Sequence, residues 1–116
     1  MRMWMVDPKL MCKDHLLGEH RELHAILGIL DKKMSISGYI DNNLIQPLSI
    51  GERHSAIIEE MRSRGYNHNS PIYFDPASLS YLPEAEQMYI IKANYSAQDL
   101  VARCPECAKR FKEAIK

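Results

Sequence analysis

No stretch of this chain is long and apolar enough to span a bilayer. Its start, MRMWMVDPKL, has neither the apolar core nor the cleavage site of a secretory signal. Membrane insertion and export are therefore not expected. Net charge is missing as well, because fifteen basic side chains balance fifteen acidic ones. Any basic surface must be local, and global charge points to no partner. Cysteine is scarce and odd in number, three in all, which argues against a secreted disulfide scaffold and makes a reducing cytoplasm the expected setting. Internal repeats, low-complexity tracts and a recognisable pair of strands are also absent. What remains is 116 residues, 46% hydrophobic, suited to one small domain with one modest core.

The apolar residues that are present follow a helical period. Asp7-Pro8 reads as a helix start, and the pattern continues to about Lys33, with Leu16, Leu23, Ile26, Leu27 and Leu30 on one face. Gly38, Asp41, Asn42, Asn43 and Pro47 mark a loop. Ser49 with Glu52 has the spacing of a capping box, and the helix it opens carries Ile50, Ile57, Ile58 and Met61 and stops at Gly65. Residues Tyr66 to Tyr95 have no clean period and are expected to be ordered but irregular. Ser96 with Asp99 starts a third helix that must accommodate Pro105. The expected fold is all-α, a single compact domain over residues 1–116 with about three helices and long irregular connections.

The segment GEHRELHAIL, Gly18 to Leu27, imitates a zinc-protease helix. In the true motif the glutamate directly follows the first histidine. Here His20 and His24 lie about 40° apart on the helix, whereas Glu22 lies roughly 160–200° from both. Glu22 therefore cannot act on water held by those histidines, and the favoured reading is that the pair packs at the edge of the core. On the other face Gly18, Arg21, Glu22, Ala25 and Ile29 form one arc, with His15 and Glu19 at its edge. Small Gly18 and Ala25 would let a large ligand approach the backbone there. From the pattern alone, a solvated charged face is the favoured reading.

The stretches HLLGEHRELHAILG (His15 to Gly28), RHSAIIEEMRSRGYN (Arg53 to Asn67) and, more weakly, DLVARCP (Asp99 to Pro105) resemble the pyrimidine-dimer DNA glycosylases of the phage endonuclease V type. The resemblance implies an all-α enzyme that cuts the glycosidic bond of a cyclobutane pyrimidine dimer in duplex DNA, then cleaves the strand by β-elimination. It implies that the α-amine of the first residue is the nucleophile and that Glu22 is the second essential group. Arg21 matches a backbone-contacting arginine, His15 an active-site histidine, and Arg2 a basic residue near the N-terminus.

Chemistry supports the choice of nucleophile. An ordinary α-amine has a pKa of about 7.7–8.0, so an appreciable fraction is neutral at physiological pH, which a lysine would reach only by strong desolvation. The amine attacks the anomeric carbon, and the imine that results acidifies the neighbouring sugar proton. Anionic Glu22 would stabilise the developing positive charge and help move protons. Bulky Arg2 is expected to protect Met1 from removal, so the nucleophile is the Met1 amine. Enzymes of this kind extrude a base, and Trp4, Tyr66 and Tyr73 are candidates to fill the vacated stack, with core packing the favoured role of each. Phosphate contacts are expected from Arg2, Arg21, Arg53, Arg62, Arg64 and the basic run Lys109 to Lys112. The expected partner is double-stranded damaged DNA, bound by a monomer. The C-terminal aromatic cluster typical of the family is replaced by RCPECAKRF, and His24-Ala25 stand where family members carry a further basic residue. These departures bear on which base is excised, and an alternative is a DNA-binding module that kept the scaffold with altered or lost chemistry.

No cofactor is expected, and three free thiols are the favoured reading of the cysteines. Cys12-Lys-Asp-His15 and Cys104-Pro-Glu-Cys107 leave one alternative, a four-ligand zinc site of Cys12, His15, Cys104 and Cys107 that would staple the C-terminus to the first helix. It would compete with the active-site role of His15. A redox pair is a further option, but no thioredoxin-like pattern accompanies it.

Overall fold

A computed structural model describes residues 1–67 and 70–115, and among these there are only helices and connecting segments. The elements are α1 (Lys13–Asp31), α2 (Ser37–Asp41), α3 (Ile50–Ser63), α4 (Glu84–Gln87), α5 (Ala93–Arg103) and α6 (Pro105–Ala114), with single 3-10 turns at Pro8–Leu10, Pro47–Ser49 and Pro76–Leu79. The all-α expectation holds, with six helices in place of about three. The core is one cluster. Leu16, Leu23, Ile26 and Leu30 of α1 are buried together with Ile50, Ile57 and Met61 of α3, and α1 and α3 form the main helix pair.

The extra helices come from breaks within the expected segments. The Asp7-Pro8 signal starts only a 3-10 turn, in which the Asp7 side chain caps the Lys9 N–H. The chain then extends through Met11 and Cys12, and α1 begins afresh with Cys12 as its N-cap. Pro105 divides the last expected helix into α5 and α6, because a proline ring cannot continue the helix before it yet suits the first position of the next. The loop expected around Gly38–Pro47 contains α2, which ends at Asn42 and Asn43, the latter with φ 62°. Within the irregular Tyr66–Tyr95 segment, Leu79, Leu82 and Ile91 reach the core; His68 and Asn69 of that segment lie outside the described residues. Ser49 does stand at the N-cap of α3, but its side chain makes no capping hydrogen bond, so the capping box is not formed. Instead the Ser49 hydroxyl accepts from Gln46 Nε2 at 2.7 Å.

Gly65 terminates α3 as expected, in the left-handed region at φ 83°. The adjacent Tyr66 N–H donates to Met61 O at 2.8 Å, which satisfies an otherwise orphaned carbonyl. Gly65→Ala is therefore expected to cost about 1–2 kcal/mol, since a Cβ is disfavoured at this φ although there is open space around it. Chemical denaturation would measure the shift, and an unchanged midpoint would count against the helix-stop role.

Candidate active site

The first seven residues form no helix, so their backbone groups must find partners elsewhere. They do so on four sides. The Met3 N–H donates to Leu44 O at 2.7 Å, in the segment after α2. The Trp4 N–H donates to Glu19 Oε1 on α1 at 3.0 Å, and Trp4 O accepts from Ser96 Oγ on α5 at 2.5 Å. Val6 O accepts from Arg53 Nη1 on α3 at 2.6 Å. Met3, Trp4 and Val6 are themselves buried, while Met1 is 39% exposed. The N-terminal segment is thus threaded between three helices, with Met3, Trp4 and Val6 inside and its two ends, Met1 and Asp7, at the surface.

Glu19 is the hub of this arrangement. Its side chain is fully buried and accepts from Arg53 Nε at 2.5 Å and Arg53 Nη2 at 3.0 Å, as well as from Trp4. The expected place of Glu19 at the edge of the ligand-facing arc is corrected, because it lies inside the core. Arg53 is corrected for the same reason. It was expected on the DNA face, but its guanidinium is buried between Glu19, Val6 O and Met11 Sδ and cannot reach a phosphate. The signal was present in the sequence. On α1, Glu19 falls between Leu16 and Leu23 in the middle of the apolar arc, and on α3, Arg53 falls between Ile50 and Ile57. An acid in one stripe and a base in the other imply a buried pair.

Glu22 lies nearly one turn beyond Glu19 on α1 and is half-buried, with Arg21 and Ala25 exposed beside it. A Cβ added at Gly18, one turn before Glu22, would meet nothing within 4 Å, so the surface over this part of the helix is open. Arg2 is half-buried. Its guanidinium stacks 3.6 Å from the centre of the Trp4 ring and donates to Asp99 Oδ2 at 2.6 Å. Beside it a recess of about 410 Å³ is lined by Arg2, Asn42, Asn43, Tyr95, Gln98 and Asp99.

The remaining expected contacts divide. Arg62 is exposed, as are Lys109 and Lys112. Arg64 is half-buried and engaged, with Glu60 Oε2 at 2.7 Å and the carbonyls of Pro8 and Met11 at 3.1 and 2.8 Å. Arg110 donates to Lys9 O. Trp4 is a core residue, and Tyr66 is half-buried with Lys13 Nζ 5.5 Å from its ring centre. Tyr73 is 85% exposed, so the favoured core role does not hold for it.

His20 and His24 lie on the opposite side of α1 and pack against His54 of α3, with ring centres 4.9–5.3 Å apart. Their possible ligand atoms fall within 4.8 Å of one another, and Glu22 has no place in the group. His54, adjacent to Arg53 on the buried side of α3, is the member that the α1 motif alone does not reveal.

His15 is edge-on to Trp4, with ring centres 5.6 Å apart. Its Nδ1 is turned toward sulfur, 3.3 Å from Cys12 Sγ and 3.8 Å from Cys107 Sγ. Cys12 and Cys104 are also in contact, Sγ to Sγ 3.7 Å. Burial pushes the Cys107 thiol up to about 12, against the Cys12 N–H that donates to it, and the neighbouring sulfurs add to the rise. The Cys104 thiol is shifted down, because N–H groups of Cys107 and Glu106 and the adjacent thiols outweigh its burial.

Comparison with curated proteins finds no significant match, and neither does comparison with solved structures. A family model described as pyrimidine dimer DNA glycosylase does match, over residues 1–74, which takes in the threaded N-terminal segment, Glu22 and the whole of the α1–α3 pair. That match covers well over half of the chain, and the protein therefore belongs to the pyrimidine dimer DNA glycosylase family of DNA repair.

Proposed function

We propose that this chain excises a pyrimidine dimer or a related damaged base from duplex DNA and then cuts the strand, with the Met1 α-amine as nucleophile and Glu22 as its carboxylate partner. The observation that carries the reading is the clamped N-terminal segment. Trp4 is fixed to Glu19, so the three residues before it have only a short tether, about 10 Å when extended. Glu22 stands about 4.5 Å further along α1 from Glu19. The tether limits how far the first amine can lie from Glu19, a range that takes in the α1 surface at Glu22, and Met1 is 39% exposed, which supports its access to a ligand. Restricting two reacting groups in this way lowers the entropic part of the barrier.

The steps follow from these two groups. The neutral amine attacks the anomeric carbon, and the glycosidic bond breaks with its electron pair leaving on the base. Glu22 stabilises the positive charge on the sugar and on the iminium that forms as the sugar ring opens. Loss of a proton from the adjacent sugar carbon expels the 3′ phosphate, and water then hydrolyses the imine and frees the amine. Open space over Gly18 lets the DNA backbone approach, with Arg21 and Arg62 available for phosphate contacts as a monomer engages the duplex. The shallow recess beside Arg2, lined by Asn42, Asn43, Tyr95, Gln98 and Asp99, offers polar groups to an extruded base.

Borohydride reduction tests the proposal, because it converts the imine to a stable amine. Incubation with duplexes carrying an abasic site or a pyrimidine dimer is expected to yield a covalent adduct. Peptide mass analysis should locate the sugar remnant on Met1, after intact mass has established that Met1 is present. An N-terminal extension should abolish trapping. Strand cleavage at the normal rate with a blocked N-terminus would overturn the mechanism. Salt-dependent duplex binding without any adduct would identify a DNA-binding module on this scaffold instead.

A further inference from the structure

We infer that Cys12, His15, Cys104 and Cys107 form a structural zinc site that joins the start of α1 to the α5–α6 junction. This inference is independent of the proposed reaction. Four potential ligand atoms from two C-x-x-[CH] pairs, about 90 residues apart in the chain, lie within 4.8 Å of one another. Zinc bonds of about 2.3 Å to sulfur and about 2.0 Å to nitrogen require tetrahedral edges of about 3.8 Å between sulfurs and about 3.5 Å between sulfur and nitrogen. The observed separations are 3.7 Å for Cys12–Cys104, 3.3 Å for Cys12–His15 and 3.8 Å for Cys107–His15. Three thiols and an imidazole turned toward one point at these distances suit a bound cation.

Helix ends and N–H donors face the cluster. Cys12 is the N-cap of α1 and Cys104 the N-cap of α6, so the positive ends of two helix dipoles converge on the cluster. Backbone N–H groups point at two of the sulfurs, Cys12 N to Cys107 Sγ at 3.2 Å and Cys107 N to Cys104 Sγ at 3.4 Å. Such outer-shell donors fix thiolate ligands in position. Zinc with three thiolates and a neutral imidazole carries one negative charge. The recess at Cys12 is also lined by Lys13, Arg64, Lys109 and Arg110, against Glu106 and Glu113, which leaves a cationic surplus to offset it. Binding displaces the three thiol protons into solvent and requires no oxidant. In this role His15 is a ligand, and it positions α1 rather than touching substrate.

Metal analysis of the purified full chain is expected to find one zinc per molecule, lost in Cys104→Ser and in Cys107→Ser. His15→Cys is expected to retain it, which guards against the possibility that a loss variant simply fails to fold. After removal of zinc by a chelator, cobalt(II) should restore the melting temperature and give the intense sulfur-to-metal charge-transfer and visible bands of a tetrahedral thiolate site. Three outcomes would overturn the site. One is a metal-free chain whose melting temperature ignores added zinc. Another is a disulfide between two of these cysteines in freshly purified protein. The third is bound metal that survives Cys104→Ser but is lost in His54→Ala, which would assign it to the His20–His24–His54 group.

Discussion

Glu22→Gln is expected to slow strand cleavage at an abasic site by about 10²–10⁴-fold while leaving duplex affinity nearly unchanged. Glutamine keeps the size and hydrogen-bonding shape of the side chain but removes its negative charge and its ability to carry a proton. Both losses matter only once charge develops on the sugar, so the effect belongs in the chemical step and not in ground-state binding. Glu22 is half-buried rather than fully buried, and glutamine matches its size, so the substitution should not move the melting temperature. Single-turnover cleavage alongside a binding titration separates the two effects. A variant that binds an abasic duplex as the parent does and cuts it at the parent rate would remove Glu22 from the mechanism. Glu19→Gln is the natural contrast, because it lies less than one turn away and should act through the fold.

That contrast also marks how far the sequence could be read. The apolar stripe of α1, the stop at Gly65 and the break at Pro105 were legible because each depends on a neighbour within a few residues. The face of α1 that carries Glu22, Arg21 and Gly18 was legible for the same reason, since helical spacing alone separates it from His20 and His24. The long-range pairs were harder. Glu19 and Glu22 are both carboxylates on one helix, and although Glu19 alone falls within the apolar stripe, its partners are Arg53, 34 residues away, and the Trp4 backbone. Arg53 in turn reads as one more basic residue for phosphate until its place within the stripe of α3 is weighed. The cysteine cluster was visible as two pairs, but only the fold brings Cys12 and His15 beside Cys104 and Cys107. The third histidine, His54, joins His20 and His24 only through the packing of α3 on α1.

Single removal of either partner in the Glu19–Arg53 pair is expected to destabilise the protein by about 3–5 kcal/mol, because the survivor would be a buried charge without compensation. Against a total stability on the order of 5–15 kcal/mol, such a loss takes a large share of the fold's margin. The double variant Glu19→Leu/Arg53→Met should recover most of it, since similar volume is refilled by apolar groups and no charge is stranded. Stability and activity are then expected to part. In the double variant the Trp4 N–H and Val6 O both lose the partners that hold the N-terminal segment against α1 and α3. The first amine gains freedom, and cleavage should stay well below the parent rate even though the fold is restored. Denaturation midpoints for the two single variants and the double give the coupling energy, and borohydride trapping of the double variant gives the effect on the amine. Full recovery of both would mean that the pair serves the core alone. Recovery of stability without recovery of trapping would assign the buried ion pair a positioning role, holding the first nitrogen of the chain within reach of Glu22.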